Sequence, residues 1–549
     1  MGKDKKKKKK KKKNIEGEID TFSQLLAKKG KGTVTLGEII DRSGDKLFLG
    51  TDYREVLIPE RPWADMLADV EHWTRLPFTH GIEMELILAD DNGNYPPGEE
   101  MVFRMKEIVK DAIKIMDEIL YEGRTGFLPV PDYIREKVLT RPWGRDDLEK
   151  GYAMQIRYQL GDSSVDIDTF ARDGNVTAIT YILELVTPPC VYAEELAYWA
   201  STLFLLAKAT LPKDLHIIAS AINPATKEYM RGLSQADHSH IGTFQSDLEK
   251  VQAYCMIRNF IPHLIALTCN SPIINNKPTD VVKIIRGRIT SPNCTRSLRL
   301  KYNTTMLSGN DPKHYIPYLS DLSKNSVNFF LHVVQKASLE DGRFQDVFPA
   351  TEFFTIEVRI SDAQISICRR IGVGMLLQAM CYKARKLLER GVWVPDAGSE
   401  TITLNRQGAI ERGLISLFRV SPSLSREKLA EYDPEFAEQY IGPEDQPVRY
   451  MTQAVQRMFF YLKDELKELG FLYSPFLKPL LQSVFGNVSY AEPPITEAEY
   501  QLSLYQYKLD NGEDPNILYD LIYFTIQYCQ DPLNNPLTGT LTLPKEMRE

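Results

Sequence analysis

HGIEMELILAD, residues 80–90, is the stretch of sequence that decides the fold. As a β-strand it alternates its side chains between two faces, so that Glu83 and Glu85 share one face. The other face carries the apolar side chains Ile82, Met84 and Leu86. Neighbouring carboxylates repel each other, and their arrangement costs stability unless a cation lies between them. The stretch therefore predicts a strand with one apolar face and one face that binds cations.

The composition is that of an ordinary globular protein. The chain has 549 residues, of which 43% are hydrophobic and 26% are charged, enough for several cores. It contains no apolar run near the roughly 20 residues of a membrane span, and its N-terminus lacks the apolar segment of a signal peptide. The seven cysteines are odd in number and show no C-x-x-C spacing, which indicates reduced core residues. We therefore expect a cytoplasmic protein.

The N-terminus carries the one anomaly in composition. Residues 1–13 include ten lysines, nine of them consecutive from Lys5 to Lys13, and carry a charge of about +9. Because the whole chain carries −7, the remainder carries about −16. Such a run of like charges cannot fold, so residues 1–14 are predicted to be a disordered tail, either solvated or in weak contact with a polyanion. A homo-oligomer is also compatible with this composition.

The rest of the chain divides into three parts. Residues 15–76 show no sustained period and are predicted to be a leader, residues 77–425 to form the main domain, and residues 426–549 to be a mainly helical C-terminal extension. Apolar residues between Met105 and Leu120 recur at three- and four-residue steps, which predicts an amphipathic helix that ends near Gly123. Residues 124–165, with their prolines and charges, are expected to be an irregular insertion.

Three further segments put charged or imidazole side chains into predicted strands. AITYILELVTPP, residues 178–189, reads as a buried strand whose one carboxylate is Glu184. In residues 237–242, DHSHIG, the side chains of His238 and His240 share a face. In residues 354–360, Glu357 and Arg359 share a face in the same way. A carboxylate in an apolar strand is costly unless it is paired or binds a metal.

Taken singly, these segments have simpler interpretations. The Glu83 and Glu85 pair suits a surface salt-bridge ladder, and Glu357 suits a buried ion pair with Arg359. Together, however, they put carboxylates and imidazoles on four strands that one sheet can gather on one surface. Three or four carboxylates with at most two histidines favour Mg²⁺ or Mn²⁺ over zinc, and Mg²⁺ usually keeps water and nucleotide phosphates as further ligands. The set predicts a site for Mg²⁺ (or Mn²⁺) with ATP as co-substrate, and a zinc hydrolase is the less favoured alternative.

The order of these motifs resembles a known family. They follow one another in the style of the carboxylate–amine ligases related to type 2 glutamate–cysteine ligase, in the glutamine synthetase-like superfamily. The motifs are GIEMELILAD, LELVTPP, HSHIGTF, IRNFIPHLIALTCNSP and TIEVRISDAQ. The resemblance covers roughly residues 78–420, and TLNRQGAIERGL at residues 403–414 resembles a late motif of the family. It implies an α+β fold in which a curved antiparallel sheet carries the active site on its concave face. Helices would pack outside, and the C-terminal extension would be helical.

The resemblance also implies roles for individual residues. The implied metal ligands are Glu83, Glu85, Glu184, His240 and Glu357. Arg359 and Arg412 would be catalytic, because a guanidinium neutralises a phosphoryl group in transfer. The implied nucleotide-binding residues are Arg258, Arg231 and Asn405.

The activity implied by the resemblance is ATP-dependent amide formation, as in glutathione biosynthesis. A carboxylate, expected to be the γ-carboxyl of glutamate, would be activated as an acyl phosphate, and an amine such as that of cysteine would displace the phosphate. Two alternatives stay open at this point. One is a phosphotransferase of the same superfamily, and the other is a non-catalytic protein that keeps the ligase fold for binding.

Overall fold

The computed structural model describes thirteen stretches of the chain. They are residues 63–94, 98–140, 154–160, 163–166, 180–225, 235–286, 288–297, 300, 326–328, 331–332, 346–349, 354–485 and 495–530. Arg231 and the lysine tail lie outside the described residues, so what the sequence predicts for them stays a prediction. None of the helices in these stretches is long and apolar enough to cross a membrane.

One antiparallel sheet of nine strands organises the described residues. Its members are β1 (Arg75–Ala89), β2 (Met154–Leu160), β3 (Ser163–Asp166), β4 (Thr180–Val186), β5 (Cys190–Tyr192), β6 (His216–Ile218), β7 (Ala236–Gly242), β12 (Val347–Phe348) and β13 (Ile356–Asp362). The strand order is β12-β13-β7-β1-β4-β2-β3, and β5 and β6 pair with the two ends of β1. Two small hairpins lie outside this sheet, β8 (Ile273–Ile274) with β9 (Lys277–Pro278) and β10 (Lys283–Ile285) with β11 (Arg288–Thr290).

The helices fall into two groups along the chain. Those that precede residue 425 are α1 (Trp63–Ala68), α2 (Gly98–Asp117), α3 (Asp132–Thr140), α4 (Ala193–Thr210), α5 (Asp247–Asn259), α6 (Ile261–Thr268), α7 (Ile367–Glu389) and α8 (Ser399–Arg412). The later ones are α9 (Arg426–Ala430), α10 (Pro434–Ile441), α11 (Met451–Tyr461), α12 (Lys463–Glu468), α13 (Lys478–Phe485), α14 (Glu497–Asp510) and α15 (Leu518–Gln530). The predicted α+β class, with an antiparallel sheet, packed helices and a helical C-terminal region, is confirmed.

The main core lies on the apolar face of β1. Ile82, Met84 and Leu86 are buried there in one cluster with residues of α4 and α7, which both pack against β1. Burying a large aliphatic side chain of this kind stabilises a fold by about 1.5–3 kcal/mol. Trp63 in α1 belongs to the same cluster, although the sequence assigns it to the leader. The alternation of β1 between its two faces thus provides the core.

The last two helices cover the other face of β1 at one end. Ile87 and Ala89, on the same side of the strand as Glu85, belong to a second apolar cluster with Tyr500 and Leu518. The Thr525 hydroxyl of α15 also accepts a hydrogen bond from the backbone N–H of residue 219, which follows β6, at 3.0 Å. The C-terminal helices therefore close one end of the face that carries the glutamates.

Several local predictions from the sequence can be compared with the structure. The helix predicted from Met105 is α2, which continues as a π-helical turn to Glu122 and ends at Gly123, where φ is 77°. The helix α5 begins directly after Ser246, whose hydroxyl accepts the Glu249 N–H. The irregular insertion predicted for residues 124–165 was wrong. It contains α3 and two strands of the main sheet, because β2 and β3 pair with β4 and with each other through their backbones.

Asp362, at the end of β13, is a fully buried carboxyl beside the C-terminal helices. Its oxygens accept hydrogen bonds from the Asn270 N–H at 2.7 Å and from the Ser271 and Thr295 hydroxyls at 2.9 Å each. Burial raises the pKa of Asp362 from its ordinary value of 3.8 to about 7, and the three hydrogen bonds only partly oppose this. The folded protein therefore holds this proton more tightly than the unfolded chain does.

This raised pKa predicts a loss of stability with rising pH. Between pH 3.8 and about 7 the folded state binds more protons at Asp362 than the unfolded state, so the free energy of unfolding falls as pH rises through this window. Asp362→Asn can keep the same hydrogen bonds, because the Thr295 hydroxyl can also accept. We expect the melting temperature of the unsubstituted protein to fall relative to that of this variant between about pH 5 and pH 8. Parallel pH profiles of the two proteins would contradict the prediction.

Candidate active site

Four strands bring the predicted ligands to one face of the sheet. The backbone pairs Glu83 of β1 with His238 of β7, and Glu85 with Glu184 of β4. It also pairs Glu357 of β13 with His240. Paired residues of neighbouring strands share a face. Side chains that are far apart in the sequence, such as Glu83 and Glu357, therefore come close together. We call these six residues the carboxylate–histidine cluster.

The centre of the cluster is Glu83, which both histidines contact. One carboxylate oxygen lies 3.1 Å from His238 Nδ1, and the other lies 3.2 Å from His240 Nε2. Glu83, His240 and Glu357 each offer one ligand atom, and these three atoms all lie within 4.8 Å of one another. Two carboxylates and one imidazole at this spacing are a suitable donor set for a divalent cation.

His238 lies deeper in the sheet than His240. Its Nδ1 is 3.6 Å from Glu357 Oε1, and its Nε2 is 3.8 Å from Glu85 Oε2, so the ring lies among three carboxylates with the contact to Glu83. The sequence put only His240 into the predicted ligand set. The H-x-H spacing already indicated that both rings share this face, but it did not indicate which one the carboxylates would surround.

Glu85 and Glu184 are buried at the end of the cluster that lies towards the C-terminus of β1. One oxygen of Glu85 accepts the backbone N–H of Ala236 at 3.0 Å, which fixes this carboxylate to the first residue of β7. A buried carboxylate needs such donors or a cation, since an uncompensated buried charge is costly. The roles of Glu83, Glu85, Glu184, His240 and Glu357 as metal ligands stay predictions.

Arg359 brings a cation to the same face. Its Nη1 lies 3.0 Å from Glu357 Oε1, and its Nε is buried with no hydrogen-bond partner among the described residues. A buried donor without a partner is costly, so this atom is suited to an anionic ligand such as a phosphate oxygen. Of the residues predicted to act on a phosphoryl group, Arg359 is in contact with the cluster.

The charges of the cluster stabilise one another. Burial would raise the pKa of Glu83, but hydrogen bonds and charges from His238 and His240 hold it well below its ordinary value. Burial would likewise lower the pKa of His240, yet the contact with Glu83 raises it above 6.5. Burial opposes the charge of Arg359 as well, but Glu357 and the other glutamates raise the pKa of its guanidinium. Glu83 is therefore ionised at neutral pH, as a metal ligand must be.

Backbone strain borders the cluster at the end where His240 lies. Thr243, directly after β7, has a φ of 62°, and Phe354, just before β13, has a φ of 58°. This region is a marked outlier for a β-branched residue such as threonine. The Thr243 hydroxyl accepts the Thr79 N–H at 3.1 Å, which ties the strained turn to β1. Such strain is concentrated at functional sites in proteins.

Arg258 and Asn405 are engaged in structural contacts elsewhere. The Arg258 guanidinium is fully buried and donates to Asp396 at 2.6 Å and to the Ser399 hydroxyl at 2.9 Å, so it ties α5 to the start of α8. The Asn405 amide binds the backbone of Arg419 in both directions, at 2.7 and 2.8 Å. Within the described part of the chain, these hydrogen bonds hold both side chains in place. Their roles in nucleotide binding stay predictions.

Arg412 is exposed at the last position of α8. Its neighbour in the same motif, Arg406, is buried and pairs with Asp346, the residue before β12. The sequence singled out Asn405 and Arg412 in this motif and missed Arg406. The signal that could have found it is the helical period, since Arg406 falls on the same buried face as Ile402 and Ala409.

The two histidines should differ in their effect on cation binding. We expect His240→Ala to weaken Mn²⁺ binding by at least about tenfold, because it removes one atom of the three-residue donor set. His238→Ala should weaken Mn²⁺ binding less, because it orients Glu83 without belonging to that set. Titration of free Mn²⁺ by electron paramagnetic resonance measures both affinities. The reverse order would show that His238 is the ligand.

Comparison with known proteins finds relatives that share one name. No family model matches the chain. Curated relatives named "Putative glutamate--cysteine ligase 2" do: the one from Sorangium cellulosum is 24% identical over 179 residues, which are 32% of this chain and 42% of that protein. The one from Nitrosospira multiformis is 25% identical over 235 residues, 42% of this chain and 51% of that protein. The one from Herminiimonas arsenicoxydans is 24% identical over 267 residues, 45% of this chain and 64% of that protein.

These relatives confirm the resemblance to the carboxylate–amine ligase family that the motifs indicated. The chain spans about half the length of the curated relatives that it matches. Among solved structures, it is similar to a bifunctional glutathione synthetase from Pasteurella multocida, with a TM-score of 0.40, 13% identity and coverage of 85% of this chain and 53% of that one. It is also similar to a glutamate–cysteine ligase from Francisella tularensis in complex with AMP, with a TM-score of 0.40, 10% identity and coverage of 85% and 92%.

Proposed function

We propose that this protein is an ATP- and Mg²⁺-dependent ligase that joins a carboxylate, expected to be the γ-carboxyl of glutamate, to an amine such as that of cysteine. The observation that carries the proposal is the carboxylate–histidine cluster with Arg359 beside it. Anionic ligands for a cation lie on one face with a half-buried guanidinium whose Nε has no partner among the described residues, a combination that suits a metal-bound triphosphate. The similarity to proteins named as glutamate–cysteine ligases supports the same class.

Different residues of the cluster would bind the metal ion and contact the phosphoryl group. Glu83, His240 and Glu357 would hold Mg²⁺, which when bound screens the charge between a carboxylate and a triphosphate. Arg359 would donate its Nε–H to a phosphoryl oxygen, and its contact with Glu357 would keep the guanidinium oriented towards that position. Glu85 and Glu184 extend the anionic face towards the end that α14 and α15 close.

The proposed reaction conserves atoms and charge in two steps. A carboxylate oxygen attacks the γ-phosphorus of ATP, the bond to the β-phosphate oxygen breaks, and an acyl phosphate and ADP form. The amine nitrogen then attacks the acyl carbon, the bond between that carbon and the phosphate oxygen breaks, and an amide and phosphate form as the amine loses a proton. Positioning both substrates on one rigid sheet face favours each attack over hydrolysis.

The test is phosphate release from Mg-ATP in the presence of glutamate, screened across single amines and amino acids including cysteine. Mass spectrometry of the mixture identifies the product. We expect an amide with one amine and little phosphate release without it. Phosphate transfer without an amide would indicate a phosphotransferase, and Mg-ATP binding without turnover under all conditions would indicate a non-catalytic binding protein.

A further inference from the structure

A buried ion pair connects α8 to the edge of the sheet beside the cluster. The Arg406 Nε donates to Asp346 Oδ2 at 2.6 Å, and its Nη2 donates to Asp346 Oδ1 at 2.8 Å. Both side chains are almost fully excluded from solvent. Two parallel bonds of this kind fix the direction as well as the distance between a guanidinium and a carboxylate.

Asp346 is also hydrogen-bonded to β13, the strand that carries Arg359. Its backbone carbonyl accepts the Arg359 N–H at 2.9 Å. The two residues that follow Asp346 form β12 and pair with Val358 and Glu357. The backbone around Glu357 is therefore paired with residues 346–348, and Arg406 holds this segment in place through Asp346.

The strand β12 is short, and Val347 packs in the main core. This strand is an edge strand of two residues, and one-residue slips of a strand reverse the faces of its side chains. An ion pair in a fixed geometry excludes such a slip, because a displaced Asp346 would leave a buried charge unpaired. The same slip would move the Asp346 carbonyl away from the Arg359 N–H.

We infer that Arg406 is a positioning residue for the candidate active site, which fixes Arg359 and Glu357 through Asp346 and β12. The inference rests on the proposed function, since it assumes that Arg359 and Glu357 contact a metal-bound triphosphate.

The chain offers a matched control for this inference. Arg288 in β11 is also buried and also makes a bidentate pair, with its Nε at 2.6 Å from Glu499 Oε1 and its Nη2 at 2.7 Å from Glu499 Oε2. This pair joins a hairpin to α14, and in the described part of the chain it has no hydrogen bond or ion pair with β12 or β13. Arg288→Gln and Arg406→Gln should therefore destabilise the fold in a similar way, while only the second should alter the site.

The experiment is calorimetric titration of the folded variants with Mg-ATP, with thermal unfolding measured alongside. We expect Arg406→Gln to weaken Mg-ATP binding by about tenfold or more, the size found for residues that orient metal-site ligands. Arg406→Lys, which keeps the charge, should recover part of the affinity and is also the variant of choice if Arg406→Gln does not fold. Arg288→Gln should bind Mg-ATP as the unsubstituted protein does.

A double-mutant cycle tests the coupling itself. If Arg406 acts through Arg359, then Arg406→Lys should change Mg-ATP affinity much less in an Arg359→Gln background than alone. Equal effects in both backgrounds, or equal Mg-ATP affinity of the Arg406 and Arg288 variants, would overturn the inference and leave the proposed function standing. If the unsubstituted protein does not bind Mg-ATP, the proposed function fails and the inference fails with it. Binding without amide formation would contradict only the ligase reaction.

Discussion

Glu357→Gln is expected to lower Mg²⁺-dependent turnover of ATP by more than about 100-fold, the upper range for loss of a residue that only orients a metal ligand. The glutamine has the same size and keeps a carbonyl oxygen, but it lacks the negative charge that a cation requires. Glu357 also holds Arg359 at 3.0 Å, so the change removes the orientation of the guanidinium as well. Phosphate release from Mg-ATP with glutamate and the productive amine measures the effect.

The matched control for this variant is Glu465→Gln. Glu465 is also a buried glutamate, and it pairs with Lys383 at 3.2 Å in the C-terminal region. We expect Glu465→Gln to lower the melting temperature without a comparable loss of turnover. Full turnover by folded Glu357→Gln protein would remove β13 from the active site.

Arg359→Gln is expected to lower kcat by about 10²–10³-fold, the loss measured when one donor to a developing oxyanion is removed. The physical reason is the buried Nε, which has no partner among the described residues and so is free to stabilise charge on a phosphoryl oxygen. Arg359→Lys keeps the positive charge but lacks the planar fork of donors, and it should recover only part of the rate. Steady-state kinetics with saturating Mg-ATP separates kcat from KM.

Comparing the loss of kcat with the loss of kcat/KM in Arg359→Gln distinguishes catalysis from binding. If Arg359 acts in the transition state, kcat and kcat/KM should fall together, whereas loss of ground-state binding alone would raise KM and leave kcat unchanged. Circular dichroism of the variant controls for folding. A kcat within about twofold of the unsubstituted protein would contradict a role for this guanidinium in phosphoryl transfer.

Period-two alternation made much of the sheet predictable from the sequence. In HGIEMELILAD it separates Glu83 and Glu85 from the core residues, and in TIEVRISD it separates Glu357 and Arg359 in the same way. Because alternation fixes the face and strand pairing brings equal faces together, the cluster could be predicted without knowledge of strand order. The strand order itself, β12-β13-β7-β1-β4-β2-β3, has no local signal in the sequence.

The roles predicted for residues outside the strands are harder to read from the sequence, for a different physical reason. Arg258 and Asn405 lie in two different motifs that resemble the ligase family, and polar residues of this kind serve equally well as structural ties between helices and loops. Which of the two roles a guanidinium has depends on the carboxylate that reaches it from a distant part of the chain. Asp346 and Arg406 are 60 residues apart, and no local pattern links them.

The prediction of an irregular insertion at residues 124–165 was wrong because it relied on the composition of the segment rather than on the alternation of its side chains. Residues 124–165 contain prolines and charges, which are typical of loops. The short segments β2 and β3 nevertheless complete the sheet beyond β4 through their backbone hydrogen bonds. Strand pairing in a large sheet thus overrides the weak preference of a mixed sequence.

The measurement that tests the central claim most directly follows one oxygen atom. Glutamate labelled with ¹⁸O in its γ-carboxyl group is incubated with the protein, Mg-ATP and the amine that supports turnover, and the phosphate released is analysed by mass spectrometry. If the carboxylate is activated as an acyl phosphate, each amide formed releases one phosphate that carries one carboxyl ¹⁸O atom. Unlabelled phosphate, released at the same rate, would show that water attacks ATP and that this protein is not a ligase of the proposed kind.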